Sequence, residues 1–174
     1  MIWFALAASG FLLVYAFVRA RRLGPLFSDE HLVQVAALLP ELKQRALART
    51  DDDRPSGSTP AITLGYTIRE DEGMWVHHLS VSSPVTPARA AGTFFLGMVR
   101  GALGIAGSPA EVFVSQNQVF HLIVRLSEAE QEAFVARPVD VGSPIELREM
   151  AIAGRGALLP RLVERAVPAT VKKS

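Results

Sequence analysis

The stretch ITLGYTIREDEGMWVHHLSVS, residues 62–82, decides the fold class. Ile62, Leu64, Tyr66 and Ile68 alternate with Thr63, Gly65, Thr67 and Arg69. Successive side chains of a strand point to opposite faces, so this period of two predicts a strand with one buried side. Asp71-Glu72-Gly73 supplies a turn, and residues 74–82 predict the returning strand of a hairpin. Downstream, Pro84 and Pro87 open an apolar helix predicted over 87–105. A second hairpin is predicted from Glu111–Val114 and Val119–Leu126, turning at Gln116-Asn117. Ser127-x-x-Glu130 is a capping box that starts a short helix to Ala136. Pro144–Met150 reads as a fifth strand, and a last helix is expected from Gly156 to Val167. The order is ββαββα, which implies an α+β domain over residues 61–167: a small antiparallel sheet with helices packed on one face.

Upstream of this domain, Ser28-Asp29-Glu30 pairs an N-cap residue with acids in a first helical turn, and His31 is a polar residue of that turn. Leu32, Val35, Ala36, Leu39, Leu42 and Leu47 recur at helical spacing, with Pro40 predicting a kink or a break into two helices. DDDRPSGSTP, residues 51–60, reads as a flexible connection. It is not a calcium loop: counted from Asp51, Pro55 and Ser56 fall where a ligand and a glycine are needed, and Ile62 where the bidentate Glu belongs. Residues 23–60 are therefore expected to form a juxtamembrane helical segment and linker, and residues 168–174 a basic tail ending in Lys172 and Lys173.

The word juxtamembrane rests on the first residues. MIWFALAASGFLLVYAFV, residues 1–18, carries no charge. At ~1.5 Å per residue it would extend about 27 Å, close to the ~30 Å hydrocarbon core of a bilayer. Trp3 and Tyr15 stand near its ends, where amphipathic rings favour the interface, and Arg19, Arg21 and Arg22 flank it. A cleaved signal peptide would carry its positive charge before the apolar run, not after it. The sequence thus predicts a retained transmembrane helix over residues 1–22, with lipid contact through residues 1–18. Positive flanks stay inside, which predicts a single-pass membrane protein with its domain on the cytoplasmic side.

Composition narrows the function classes. The net charge is +1, and no Lys/Arg stripe is interleaved with aromatics, so no nucleic-acid partner is expected. The absence of cysteine excludes disulfides, thiolate metal sites and thiol nucleophiles. Gly154-Arg155-Gly156 is a lone G-x-G that completes no nucleotide fingerprint, and no cofactor is expected.

Three sets of residues are candidates for function. Adjacent His77 and His78 must point to opposite sides of the sheet, while His78 and His121 would share the outer side if their strands are neighbours. Two imidazoles there could serve acid–base chemistry, or hold a metal with a carboxylate. Neither strand places a carboxylate beside them and no H-E-x-x-H occurs, so no metal is expected. The second set is the outer sheet face itself. Thr67, Arg69, His78, Val119, Ile123 and Arg125 would form a half-apolar surface, to be covered first by the segment 28–50 folded back, and otherwise by a protein partner, another copy of the chain or the membrane surface. The third is the helix 87–105, which could insert into a bilayer. Arg100 at mid-span would then cost about 2.5–3.5 kcal/mol, and the hairpins need a helix to cover them, so a buried helix is preferred. The sequence leads to a membrane-tethered binding or assembly module. The alternatives are a membrane-bound enzyme or metal-binding protein using His78 and His121, and a membrane-active protein.

Overall fold

The computed structural model describes residues 14, 15, 17, 18, 21, 23–48, 55–84 and 89–165. Helix α1 is Asp29–Leu47. Ser28 caps it, with Oγ accepting from the backbone N–H of His31 at 3.2 Å, and Asp29 and Glu30 complement the helix dipole. The helix runs through Pro40, which lies on its exposed side, and buries Leu32, Val35, Ala36, Leu39, Leu42 and Ala46. These residues share one hydrophobic core with the sheet.

The sheet has six strands: β1 (Ser56–Ser58), β2 (Thr63–Asp71), β3 (Met74–Ser82), β4 (Ala110–Ser115), β5 (Phe120–Leu126) and β6 (Val163–Arg165). Their spatial order is β1-β2-β3-β5-β4-β6. The alternation in residues 62–82 produces the hairpin it predicts. Glu72 (φ 51°) and Gly73 (φ 78°) form a two-residue turn whose positive φ angles suit the right-handed twist of the strands. All neighbouring pairs are antiparallel except β4 and β6, which run parallel, so the sheet is mixed rather than purely antiparallel.

The other helices are α2 (Arg89–Ala102), α3 (Glu128–Ala136) and α4 (Pro144–Leu158). Every residue of α2 from Ala91 to Arg100 is buried, because the sheet covers one side of the helix and α4 the other. That placement explains why α2 is apolar over most of its circumference, with Arg89, Thr93 and Arg100 grouped on one side. The head of Arg100 is satisfied locally: Nε donates to the Ile105 carbonyl at 3.1 Å, and an Nη donates to the Ser108 carbonyl. Gly92 faces the sheet, where a Cβ would lie 2.2 Å from the Phe120 ring. Gly97 faces α4, where a Cβ would lie 2.7 Å from the backbone N of Arg155.

Several sequence expectations are corrected. No helix among the described residues is long and apolar enough to cross a membrane. That finding overturns the N-terminal single transmembrane helix, and with it the single-pass membrane localisation and the cytoplasmic orientation. Within residues 1–22, Val14, Tyr15, Phe17, Val18 and Arg21 are helical and exposed, and the Arg21 guanidinium lies 4.9 Å from the Phe17 ring centre. Trp3, Arg19, Arg22 and the rest of that stretch lie outside the described residues. The fifth strand over Pro144–Met150 is instead the first half of α4. Ser143 and Glu146 form a capping box there, Pro144 sits in the first turn, and the helix continues through Gly154 and Gly156. A last helix from Gly156 to Val167 is replaced by the end of α4, a 3-10 turn at Leu159–Arg161 and the edge strand β6. Residues 56–58, expected in a flexible connection, pair with β2 as edge strand β1, while residues 49–54 and the tail 168–174 lie outside the described residues.

Candidate functional site

The cross-strand register divides the sheet into two faces. On the inner face Ile68 pairs with His77, Tyr66 with Leu79, His77 with Val124 and Leu79 with Leu122. On the outer face one row runs Thr67–His78–Ile123–Glu111 and the next runs Arg69–Val76–Arg125. Helices α1 to α4 all contribute to the core cluster on the inner face, and among the described residues no outer-face residue belongs to it.

The structure brings His78 and His121 together. Nε2 of His78 lies 2.9 Å from Nδ1 of His121, so one ring donates and the other accepts. Phe113 stacks on His121 with ring centres 4.7 Å apart, and the Arg165 guanidinium covers Phe113 at 5.0 Å. Burial, together with the neighbouring His78, holds the His121 imidazole down to about 4. Glu111 pairs with Arg125 at 2.7 Å and with Arg165 at 3.5 Å, and Arg125 in turn holds the Glu111 carboxyl below its usual range. Among the described residues no cluster of three metal-ligating side chains occurs, and none joins the histidine pair. Of the expected interface, Thr67, His78 and Ile123 share one row and Arg69 and Arg125 the next, while Val119 precedes β5 at the turn. The outer face is therefore a ladder of side chains largely engaged with one another.

His77 is enclosed on the inner face, with no exposed surface. Gln131 presents its carbonyl oxygen 2.7 Å from Nε2, so that nitrogen carries the proton; Nδ1 accepts from the Tyr66 hydroxyl at 2.7 Å. Phe134 meets the imidazole edge to face at 4.7 Å. Burial holds His77 down to about 4, against the opposing effect of its bond to Gln131, with the Lys43 charge lowering it further. Lys43 is itself buried. Its ammonium donates to the carbonyls of Phe134 at 2.6 Å and of Arg137, closing the C-terminal end of α3.

Gln131, at the end of this polar chain, lines a groove of about 630 Å³ between the C-terminal half of α1 and α3. Ala46, Leu47, Ile68, Trp75 and Val135 make its apolar walls. Gln131 lies at its floor with its oxygen committed to His77, leaving the amide N–H group without an acceptor among the described residues. Glu128 and Glu132 form an acidic rim, and Glu128 accepts from the Trp75 indole N–H at 2.7 Å. Past Leu47 and Val135 lies a second hollow of about 430 Å³ lined by Pro40, Lys43, Pro138 and Val139. Concave, mostly apolar clefts with a few aimed polar groups are the usual form of a binding site.

Sequence reasoning did not find this groove, because its walls come from four elements distant in the chain. One local signal was present. Lys43 falls on the stripe that carries Leu39, Leu42 and Ala46, and a charge on the buried side of an amphipathic helix needs a partner. The chain matches no family model, no curated protein and no solved structure.

Proposed function

We propose that this protein is a binding module that takes an extended segment of a partner protein into the groove between α1 and α3. The observation that carries this reading is the groove's lining: exposed Leu47 and Val135 beside Trp75 and Ile68, over an amide with an open donor. The outer sheet face is the weaker candidate, since Glu111, Arg125, Arg165, Phe113, His121 and His78 already hold one another. The groove and the hollow beyond it adjoin at Leu47, Val135 and Ala136, an elongated shape that suits a peptide better than a compact small molecule. An apolar anchor would displace water from the Trp75–Ile68 wall. A backbone carbonyl beside it would accept from Gln131, and a flanking Lys or Arg would meet Glu128 and Glu132. His77 is sealed behind this wall and held neutral, so it positions Gln131 and does not meet the ligand.

Selection from a random peptide display library tests the reading. The expected result is enrichment of sequences with a large apolar residue next to a basic one. Binding can be read from Trp75 fluorescence in a Trp3→Phe background, since the chain has 2 tryptophans. Val135→Glu and Leu47→Glu should each abolish the signal. A library that yields no saturable binder, or binders indifferent to both substitutions, would overturn the proposal.

A further inference from the structure

Helix α4 presents a second unpartnered surface, on the side away from the core. Leu147, Ala151 and Leu158 are buried against the domain, whereas Ile145 is 70% exposed, Ile152 60% and Leu159 39%. These three aliphatics are spaced seven residues apart, close to two full helical turns, and Leu159 continues the helix with its N–H bonded to the Arg155 carbonyl. At ~100° per residue, Ile145 and Leu159 lie within about 20° of Ile152 around the helix, so they form one stripe. The charges beside it are unequal in their commitments. Glu146 closes the capping box, and Arg148 pairs with Asp29 and donates to the Phe27 carbonyl. Glu149 and Arg155 are exposed and make no ion pair with any described residue. By the same rotation they stand about 60° to either side of Ile152.

We propose that two copies of the chain pair through this stripe, with their α4 helices parallel about a two-fold axis running along them. That axis sets Ile145, Ile152 and Leu159 against their own counterparts. It also carries one flank of the stripe onto the other, so Glu149 of each copy lies on the same side of the seam as Arg155 of the partner subunit. The two are six residues apart, about 9 Å along the axis, a span that the long Glu and Arg side chains cover between them. An antiparallel pair would instead place Glu149 beside Glu149 and Arg155 beside Arg155. Charge therefore selects the parallel arrangement, and apolar burial drives it. One short helix face is a small contact, so the dimer belongs to the weak, concentration-dependent class.

Sedimentation velocity of the full chain over a concentration series tests this. A monomer–dimer equilibrium is expected. Ile152→Arg should give a monomer with an unchanged circular dichroism spectrum. Glu149→Arg and Arg155→Glu should each weaken dimerisation several-fold, and the two together should restore it. Because the chain has no cysteine, Ile145→Cys provides a clean orientation test: mild oxidation should trap a disulfide-linked dimer. A chain monomeric at every concentration, or a dimer unaffected by Ile152→Arg, would overturn the interface. A dimer in which Ile145→Cys fails to cross-link, or whose charge reversals do not compensate, would overturn the parallel arrangement.

Discussion

His77 donates from Nε2 to the Oε1 of Gln131 at 2.7 Å, across 54 residues of sequence and with no exposed surface on the imidazole. The bond joins the central strand β3 to α3 and orients the amide at the floor of the groove. It also makes the fold acid-sensitive in a defined window. The ordinary value for His77 is 6.5 and the folded value is about 4. As pH falls, the unfolded chain takes up this proton first, so the stabilisation is complete above pH 6.5 and lost progressively down to pH 4. The expected loss from this group is about 3 kcal/mol over the whole window. His121, also held near 4, acts in the same direction. Glu111, whose carboxyl is lowered by Arg125, gives up its contribution only in the carboxylate range, so the decline above pH 5 belongs to the histidines. Urea titrations at several pH values measure the loss, and imidazole chemical shifts read the two midpoints directly.

Lys43 couples that histidine to the end of α3. Replacing it in Lys43→Met keeps the apolar stem and removes the donor to the carbonyls of Phe134 and Arg137. The ammonium also sits 4.2 Å from the Phe134 ring centre. Two carbonyls left short of a partner should cost about 1–3 kcal/mol in chemical denaturation. Removing a nearby positive charge should also raise the His77 midpoint. A variant with lowered stability and an unmoved His77 titration would separate the capping role from the electrostatic one.

His31 carries the opposite imbalance. It is 6% exposed, its ring packs edge to face on Phe95 at 5.6 Å, and its Nε2 is buried without a hydrogen-bond partner among the described residues. Its backbone N–H serves the Ser28 cap, and that role survives any side-chain change. His31→Leu should therefore stabilise the fold by about 1 kcal/mol, because it removes an unsatisfied polar atom and keeps the burial. Thermal melts at pH 7 check the direction. A loss of stability would mean that the imidazole contributes more through Phe95 than its orphan nitrogen costs.

How much of this was legible in the sequence depended on whether the signal was local. The alternation from Ile62 to Ile68 and the capping box at Ser127 and Glu130 each act within one element, and both appear in the structure. Ser143 and Glu146 form the same box, but Pro144–Met150 reads as a strand, and Gly154-Arg155-Gly156 reads as a turn before a last helix. Gly154 lies where α4 packs closely on α2, a tertiary cause that no local pattern displays. The apolar run at the N-terminus predicts a membrane helix from its hydropathy, its aromatic ends and its arginine flank, and no membrane-crossing helix occurs among the described residues. The histidine pair needed only β3 and β5 to be neighbours, a relation left as a condition. The groove needed Leu47, Ile68, Trp75 and Val135 to meet from four elements, which the sequence does not state.

The glycines of α4 provide a paired test of that tertiary cause. Gly154 and Gly156 lie two residues apart in one helix and differ only in what faces them. A Cβ on Gly154 would fall 2.3 Å from the Cα of Gly97, a backbone atom that cannot move without shifting α2. Among the described residues, nothing lies within 4 Å of a Cβ built on Gly156. Gly154→Ala should therefore destabilise the fold by about 1–3 kcal/mol through overpacking, despite the better helix propensity of alanine. Gly156→Ala should stabilise it by about 0.5–1 kcal/mol, since propensity acts there unopposed. Equal effects at the two positions in denaturant unfolding would show that α4 does not pack on α2 at this distance. Opposite signs would show that α4 meets α2 at backbone contact distance at Gly154 and faces open space at Gly156.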